Sequence, residues 1–447
     1  MTDFERADVA SLIRSFADGS LSVVDHLRQC LQRIDRDNAR MHAMREVYAD
    51  AALQRATWLQ ERRDQAASMP LFGLPVAIKD NMAEAGKPNR AGRPDVCHDI
   101  ASQDAVVVKR LSDAGAIVVG RANMDELAYG VSGTNPHTGQ VLNPNDVTRH
   151  PGGSSAGSGA AVAASMVPVA LGTDTAGSVR IPASLCGVVG MRPTHGHVET
   201  TGVAPLCPSL DTVGVLGKRV ADVALVLSVI AGDLLPAGAN ATAQIDAVDA
   251  DRAKALKIGA VKGTFAVPVN AAVDALFEQA CRAIVPAVHA VESVTIDALS
   301  AGPKASGPII GAQATYAWDK QLAAHPDWFG EEVSGHLTKG AGIKATRYLR
   351  ALQDMDTVVR GIDALFDKFD VLMLPTTPIV ATSAQEPGSQ LPILALTVPF
   401  SLGGYPAISV PMGTVEALPV GVQFVARRNQ DKLLLALAAV FERLKQA

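Results

Sequence analysis

From Pro75 onward, short apolar runs alternate with segments of helical pattern, and this alternation constrains the fold more than any other feature of the sequence. The run Pro75-Val-Ala-Ile-Lys79 predicts a strand, residues 104–114 predict a helix that Gly115 stops, and Ile117-Val-Val-Gly120 predicts the next strand. Strands that alternate with helices are typical of α/β domains, so we predict an α/β fold. Further strands are predicted to begin near residues 167, 258, 371, 407 and 420, with helices over residues 155–165 and 433–444.

The length of 447 residues would allow about three domains of ~150 residues, although large α/β folds of this size also form one domain. Residues 5–65 predict two or three helices, which we assign to an N-terminal helical layer over residues 1–70. The polar segment 231–251 is a candidate linker between two lobes. Because similar strands are predicted on both sides of it, we interpret it as a surface excursion and predict a single domain over residues 1–447.

Charge and cysteine content exclude several classes of function. The net charge of −5 offers no basic surface for phosphates, and an aromatic content of 4% leaves little for base stacking, so we predict no direct nucleic-acid ligand. The five cysteines are scattered and include no C-x-x-C pair, which excludes a zinc motif and a disulfide framework. A reducing, cytoplasmic location is the resulting prediction.

Two uncharged stretches are long enough to span a bilayer, but neither has the composition of a transmembrane helix. Residues 151–173 are dominated by Gly, Ala and Ser, and residues 387–415 are interrupted by Pro392, Pro399, Pro406 and Pro411. We predict that both are buried parts of a soluble core. The first residues also lack the apolar region of a secretory signal, so no membrane association is expected.

The stretch from His150 to Ala160 alternates hydroxyls and glycines at the entry to a predicted helix. A phosphate-binding P-loop is excluded because no lysine follows the glycines, and a dinucleotide-binding loop lacks both the third glycine and a preceding strand. The run from Gly153 to Gly157 does match G-x-S-x-G, which would make Ser155 the nucleophile of a serine hydrolase elbow. No strand precedes it and no later histidine has a supporting motif, so this hypothesis stays a minor alternative.

A second cluster, from Gly172 to Pro182, has the composition of an oxyanion-binding turn. Small residues before Ser178 would let successive backbone N–H groups converge on one point, although a simple turn closed by an Asp174–Arg180 ion pair would also explain the pattern. Lys79 ends the apolar strand that begins at Pro75. Burial there would lower its pKa and provide a neutral amine that can act as a base.

With these residues in place, the chain resembles the amidase signature family. The resemblance covers nearly the whole chain and predicts the fold of that family, a large twisted mixed β-sheet layered by helices. The motifs that carry it occur in the family's order and together are highly specific, and the first five of them fall within residues 71–220. They are Gly73-Leu-Pro-Val-Ala-Ile-Lys-Asp-Asn81, Met124-Asp-Glu-Leu-Ala128, Pro151-Gly-Gly-Ser-Ser-Ala-Gly-Ser-Gly159, Gly172-Thr-Asp-Thr-Ala-Gly-Ser-Val-Arg-Ile-Pro182, Gly187-Val-Val-Gly-Met-Arg-Pro-Thr194, Leu374-Pro-Thr-Thr-Pro378 and Pro406-Ala-Ile-Ser-Val-Pro411.

The resemblance implies a catalytic triad in which Ser178 is the nucleophile, Ser154 a bridging serine on a cis peptide, and Lys79 the base. The same resemblance assigns the oxyanion-hole N–H groups to Thr175, Ala176, Gly177 and Ser178. Relatives often have glycine at positions 156 and 176, where this chain has alanine, and alanine at position 176 requires an ordinary backbone angle there. The implied reaction is acyl transfer, which needs no metal or other cofactor.

The substrate is less constrained by the motifs, because loops outside them build the pocket. We assign its walls to four mostly apolar residues, Tyr129, Val131, Ile379 and Leu402. Our main expectation is an amidase that hydrolyses neutral, partly hydrophobic amides or anilides, with carbamates also accessible. Its partner is then a small-molecule substrate, and a homodimer is compatible with the sequence.

Two alternatives from other functional classes stay open. One is the glutamine amidase component, the A subunit, of a tRNA-dependent amidotransferase complex, which uses the same relay. In that subfamily an acid holds the ammonium group of glutamine, three residues before the threonine of a Thr-Ile/Val-Pro stretch. Here Leu394 occupies that position before Thr397, which disfavours this function. The other alternative is a non-catalytic binding protein, against which Lys79, Ser154 and Ser178 all argue.

Overall fold

One mixed β-sheet organises the computed structural model, which describes residues 8–232, 253–263, 265–385 and 391–446. In the described ranges the sheet has 11 strands, in the order β1-β3-β2-β4-β6-β5-β10-β11-β9-β7-β8. The strands are β1 (Met44–Val47), β2 (Pro75–Lys79), β3 (Ile117–Ala122), β4 (Val169–Asp174), β5 (Val189–Arg192), β6 (Thr212–Gly217), β7 (Lys257–Val261), β8 (Ala290–Val294), β9 (Val371–Pro375), β10 (Ala407–Val415) and β11 (Leu418–Ala426).

Helices cover both faces of the sheet, which confirms the predicted large mixed sheet layered by helices. The predicted strands and helices are present within a few residues of their expected bounds. The α-helices are α1 (Val9–Asp18), α2 (Val23–Met41), α3 (Ala49–Gln60), α4 (Val106–Asp113), α5 (Ala156–Ala163), α6 (Arg180–Cys186), α7 (Val220–Ala231), α8 (Ala271–Ile284), α9 (Gly302–Ala324), α10 (Glu331–Ala341), α11 (Ala345–Phe366), α12 (Leu391–Leu394), α13 (Val398–Leu402) and α14 (Asp431–Gln446).

The two halves of the chain occupy separate halves of the sheet. Strands β1 to β6 are contiguous on one side and strands β7 to β11 on the other, and the two groups meet where β5 pairs with β10. The pairs of β2 with β3 and with β4 are parallel, as are those of β7 with β8 and with β9. Antiparallel pairs build the middle of the sheet, so the sheet is mixed.

The N-terminal segment differs from the purely helical layer that its sequence predicts. Strand β1 pairs antiparallel with β3 at the edge of the sheet, between helices α2 and α3. Helix α2 ends at Met41, and the φ of 53° at the C-cap residue His42 turns the chain back toward the sheet. A strand of four residues is too short for a clear alternating pattern, which is why the helical pattern around it dominates the sequence.

Alternate residues of the central strands are buried in different clusters, one on each face of the sheet. In β2, Val76 and Ile78 belong to the cluster beneath α4, α7, α8 and α14, whereas Ala77 belongs to the cluster beneath α1, α2, α3 and α5. In β4, Val169 and Ala170 divide in the same way. Successive side chains of a strand point to opposite faces of the sheet, and helices cover both faces here. Every position of these strands is therefore buried, which explains why they are continuous apolar runs in the sequence.

The two uncharged stretches are largely buried where the structure describes them, although Thr414, near the end of the second stretch, is exposed. Residues 156–162 of α5 are all buried, and β4 is buried along its whole length. Among the described helices, none combines the length and the apolar character needed to cross a bilayer. The proposed surface excursion at residues 231–251 falls almost entirely outside the described residues, and the predicted domain boundaries stay predictions.

Parallel strands bring the predicted catalytic segments to one edge of the sheet. Lys79 is the last residue of β2, and Asp174 is the last residue of the neighbouring β4. Ser178 follows β4 in the turn before α6, and Ser154 lies in the loop that leads into α5. Because parallel strands end on the same side, these side chains converge there, at the position where α/β proteins commonly bind ligands.

Candidate active site

Lys79 lies at the centre of the site, and its side chain is fully buried. Its Nζ is 2.8 Å from Ser154 Oγ and 2.8 Å from Thr173 Oγ1. Burial lowers the pKa of Lys79 to about 7, although the negative charges of Asp125, Asp211 and Asp174 oppose that shift. A substantial fraction of this lysine is therefore neutral near neutral pH and can accept a proton.

Ser154 and Ser155 are consecutive, yet their hydroxyls make different contacts. Ser154 follows a cis peptide bond from Gly153, and its hydroxyl faces Lys79. The Ser155 hydroxyl instead donates to the carbonyl of Thr173 at 3.1 Å and accepts the Thr173 N–H at 3.1 Å. The Ser155 hydroxyl therefore holds the loop against strand β4, and these contacts favour Ser178 over Ser155 as the nucleophile.

Ser178 lies beside this loop and has an unengaged side chain. Its backbone carbonyl accepts the N–H of Ser155 at 3.2 Å. Among the described residues, the Ser178 hydroxyl has no recorded hydrogen-bond partner, although the residue is only 4% exposed. Such a hydroxyl is available to a substrate that enters the site, and the structure brings it to the loop that carries Ser154, whose own hydroxyl contacts Lys79.

The turn before Ser178 has three of the four predicted oxyanion donors free. Within the described part of the chain, no hydrogen bond is recorded for the backbone N–H of Thr175, Ala176 or Ser178. The Gly177 N–H differs, because it donates to the Asp174 carboxylate at 2.8 Å. In this conformation the Gly177 N–H therefore closes the turn, and the assignment of Gly177 as an oxyanion donor stays a prediction.

Ala176 and Gly177 have different backbone requirements. Ala176 is not among the described residues with positive φ, so its alanine is compatible with the turn, as the sequence analysis required. Gly177 has a φ of 138°, and a Cβ at this position would overlap the Thr397 hydroxyl. That hydroxyl donates to the Ala176 carbonyl at 2.6 Å. Thr397 therefore packs against the turn from the C-terminal half of the sheet.

A buried ion pair holds the base of the same turn. The carboxylate of Asp174 accepts from Arg180 Nε and Nη2, both at 3.0 Å, and both side chains are fully buried. Burial by itself would raise the pKa of Asp174, but the Arg180 and Arg192 guanidiniums lower it to about 2. The Asp174–Arg180 pair is thus present as expected, and it holds the first residue of the turn in place.

The four predicted pocket residues fall into two apolar clusters on either side of the turn. Val131 and Ile379 belong to the cluster around Ile181, at the start of α6. Tyr129 and Leu402 belong to the cluster that contains Ala176. The structure therefore places all four near the catalytic segment, and their role as substrate contacts stays a prediction.

Three residues at the site, Thr173, Asn81 and Asp125, were assigned no role by sequence reasoning. Thr173 accepts hydrogen bonds from Lys79 and Asn81, and Asp125 accepts the N–H groups of Ser132 and Gly133. The motif that contains Asp125 was visible in the sequence, but its carboxylate gave no signal of proximity to Lys79. No group of three or more His, Cys, Asp or Glu side chains in the described ranges is arranged to hold a metal ion.

Comparison with known proteins gives a consistent family assignment. A family model described as Amidase matches residues 25–435. The chain is 35% identical to the A subunit of the glutamyl-tRNA(Gln) amidotransferase from Symbiobacterium thermophilum, over 97% of this chain and 96% of the relative. It is 33% identical to the same component of the Chloroflexus aurantiacus amidotransferase, over 100% of this chain and 98% of the relative.

Solved structures with the same fold include enzymes of different function. One belongs to a vestigial protein complex that reveals the evolutionary origins of an s-triazine catabolic enzyme, with a TM-score of 0.89, 30% identity and 98% coverage of both chains. Another is the native peptide amidase from Stenotrophomonas maltophilia, with a TM-score of 0.85 and 31% identity over 99% of this chain and 97% of that one.

Proposed function

Because this chain belongs to the Amidase family and is an enzyme that acts on amides, we propose that it cleaves C–N bonds through an acyl-enzyme on Ser178. The observation that carries the proposal is the buried contact of 2.8 Å between Lys79 and Ser154, beside the unengaged hydroxyl of Ser178. A base, a bridging hydroxyl and a nucleophile in this order form a path for one proton.

In the acylation step, Ser178 Oγ attacks the carbonyl carbon of the amide. Its proton passes to Ser154 Oγ while the Ser154 proton passes to neutral Lys79. The carbonyl oxygen becomes negative, and the free N–H groups of Thr175, Ala176 and Ser178 stabilise it. When the C–N bond breaks, the proton returns by the same path to the leaving nitrogen.

In the deacylation step, a water molecule replaces the amine. The relay accepts a proton from the water as its oxygen attacks the acyl carbon, and it returns that proton to Ser178 Oγ when the ester bond breaks. Lys79 is suited both to accept the proton and to return it, because its pKa of about 7 lies close to neutral pH. No step requires a histidine.

The relatives favour the amidotransferase function over the hydrolase of neutral amides that the sequence analysis preferred. Two relatives that match this chain from end to end at 33–35% identity are each named as the A subunit of a glutamyl-tRNA(Gln) amidotransferase. Our first candidate is therefore a subunit that releases ammonia from glutamine and works with a protein partner. The partner, rather than this chain, would then bind the glutamyl-tRNA(Gln).

One observation at the site favours the second candidate, a hydrolase of neutral amides. Leu394 is partly buried and packs against both the Ala176 cluster and the Ile181 cluster, so it lies at the junction of the predicted pocket walls. A glutamine ammonium group at this position would lose water without gaining a carboxylate partner. Leaving a buried charge unpaired in this way is costly.

A substrate screen separates the candidates, and labelling tests the nucleophile. We would measure kcat/KM of the purified chain for glutamine, a neutral aliphatic amide and a neutral anilide, and repeat the measurements with Leu394→Asp. If the second candidate is correct, neutral amides are cleaved faster and Leu394→Asp improves glutamine relative to them. Faster cleavage of glutamine by the unchanged chain supports the amidotransferase candidate.

Ser178→Ala should abolish both turnover and labelling by a fluorophosphonate probe, whichever substrate is correct. Ser155→Ala is the matched control, because among the described residues the Ser155 hydroxyl bonds only to the Thr173 backbone. It should lose stability but keep the label on Ser178. A label that depends on Ser155 would contradict the proposed nucleophile.

A further inference from the structure

A small cavity lies next to the contact between Lys79 and Thr173. Its walls include Asn81, Thr173, Asp211 and Thr212, and the segment Val203–Ala204 closes another side. About 10 Å³ of it is open to the centre of a water molecule. That space corresponds to one bound water, which needs roughly 10–15 Å³. The cavity is therefore suited to a single small polar molecule.

Two buried polar atoms that belong to this wall have no hydrogen-bond partner within the described protein. They are Asn81 Oδ1 and Thr212 Oγ1, on residues that are 2% and 1% exposed. Buried polar atoms almost always have a partner, from either protein or ordered water. Two such atoms on one small cavity point to a shared ligand that can donate hydrogen bonds to both.

The hydroxyl of Thr173 needs a hydrogen-bond acceptor, whereas Asn81 Oδ1 and Thr212 Oγ1 need donors. Its oxygen accepts hydrogen bonds from Lys79 Nζ at 2.8 Å and from Asn81 Nδ2 at 3.1 Å. A hydroxyl has two acceptor positions and one donor, so its own proton still needs an acceptor. Among the described residues the Thr173 hydroxyl donates to no recorded acceptor, and Thr173 lines the cavity.

We propose that one ordered water molecule binds in this cavity, accepts the hydrogen bond of the Thr173 hydroxyl, and donates to Asn81 Oδ1 and Thr212 Oγ1. Water fits all three needs because it can donate twice and accept at the same time. Three polar partners are the usual number for a buried water. An apolar molecule would leave all three groups unsatisfied.

The water has a role in the relay, and this role rests on the proposed function. If the Thr173 proton pointed at Lys79, it would occupy the lone pair of the neutral amine that Ser154 needs. A water that accepts the hydrogen bond of the Thr173 O–H leaves the Thr173 oxygen as an acceptor of the Lys79 N–H. The lone pair of Lys79 then remains directed at Ser154. Asn81 and Thr212 are thus positioning residues that act through the water.

A high-resolution crystal structure of the full chain tests the site directly. We expect a density peak within hydrogen-bond distance of Thr173 Oγ1, Asn81 Oδ1 and Thr212 Oγ1. Thr212→Val keeps the side-chain shape but removes one partner, and the peak should weaken or disappear. Thr212→Ser keeps the hydroxyl and should retain the peak. A cavity without a peak in the unchanged chain would overturn the proposal.

Kinetics of the same variants test the role of the water. Thr212→Val should lower kcat by about five- to tenfold with KM unchanged, the scale of one lost hydrogen bond, whereas Thr212→Ser should stay within about twofold. Equal kcat for both variants would contradict the positioning role. Failure of the proposed function is separately visible, because an unchanged chain that hydrolyses no amide can still show the water in the crystal.

Discussion

Ser154, Ser155 and Ser178 carry the same hydroxyl group in three different hydrogen-bond environments. The Ser154 hydroxyl faces a lysine, the Ser155 hydroxyl holds a strand, and the Ser178 hydroxyl is unengaged. Their chemistry therefore differs because their partners differ, since none of the three is intrinsically more reactive than an ordinary serine. Assigning roles from a serine-rich motif alone would leave three candidates for the nucleophile.

The pKa of Lys79 sets the pH range in which the proposed relay works. Burial lowers it to about 7, and the amine is a base only in its neutral form, above that pKa. We expect kcat/KM to rise as the pH increases through about 7 and then to level off. Lys79→Met should lower kcat by about 10²–10⁴-fold at pH 8, the usual scale for losing a general base.

The measurement is a profile of kcat/KM against pH with a neutral amide substrate, whose own charge stays constant. Thr173→Val offers a control, because it removes a hydrogen-bond partner of Lys79 but keeps the amine. Its profile should keep the same shape, with a lower plateau. A profile without an ionisation between about pH 6 and 8 would contradict lysine as the base.

At the scale of elements, the turn between β4 and α6 depends on one glycine. Gly177 has a φ of 138° and approaches the Thr397 hydroxyl so closely that a Cβ would overlap it. Gly177→Ala should therefore displace the oxyanion N–H groups and lower kcat by about 10²-fold or more, the scale of losing one such donor. The loss should exceed any change in KM.

Ala176→Gly is the matched control for that variant. Ala176 has an ordinary backbone angle, so glycine fits there without rearrangement, and we expect kcat within a few-fold of the unchanged chain. Steady-state kinetics and thermal unfolding of both variants would be compared. Similar losses in the two variants would show that the turn responds to any change of volume rather than to the backbone angle at Gly177.

The same elements show what the sequence can and cannot predict. Strand β2 and its terminal Lys79 were predictable because an apolar run between turn residues has a local pattern. The role of Thr173 was not, because its contact with Lys79 crosses between two strands 94 residues apart in sequence. The contact of the Gly177 N–H with the Asp174 carboxylate was not predictable either, because sequence spacing does not specify the conformation of the Asp174 side chain.

At the scale of the whole molecule, the buried carboxylate of Asp222 and the partly buried carboxylate of Glu442 connect helices from the two ends of the described chain. Glu442 in α14 accepts the N–H of Val220 at the start of α7, and Asp222 in α7 accepts the N–H of Val9 at the start of α1. Burial raises the pKa of Asp222 to about 7, against 3.8 for an ordinary carboxyl. Arg219 opposes this shift, whereas Asp8 and Glu442 add to it.

This arrangement predicts a pH-dependent stability. Between about pH 4 and 7 the folded Asp222 keeps its proton and the unfolded one releases it, so the folded state becomes less stable as the pH rises. From pH 5 to 8 the loss is on the order of 2–3 kcal/mol. Asp222→Asn keeps an acceptor for Val9 but carries no charge, so its stability should fall less over this range. Urea unfolding at pH 5 and at pH 8 would measure the free energy of unfolding of both chains. An equal loss of stability in the two chains between these pH values would contradict the prediction.

The division of the sheet into two halves has a consequence for how the enzyme acquires its activity during folding. Lys79, Ser154 and Ser178 all come from the half built by β1 to β6, whereas Thr397, which supports the oxyanion turn, comes from the other half.

The halves join through β5 and β10, whose paired residues Arg192 and Ala407 are far apart along the chain. Contacts of such long sequence separation carry a large loop-closure cost and tend to form late. We therefore expect a nascent N-terminal half to hold Lys79, Ser154 and Ser178 without yet supporting the turn that we propose stabilises the transition state, so that hydrolysis begins only when synthesis has supplied the second half.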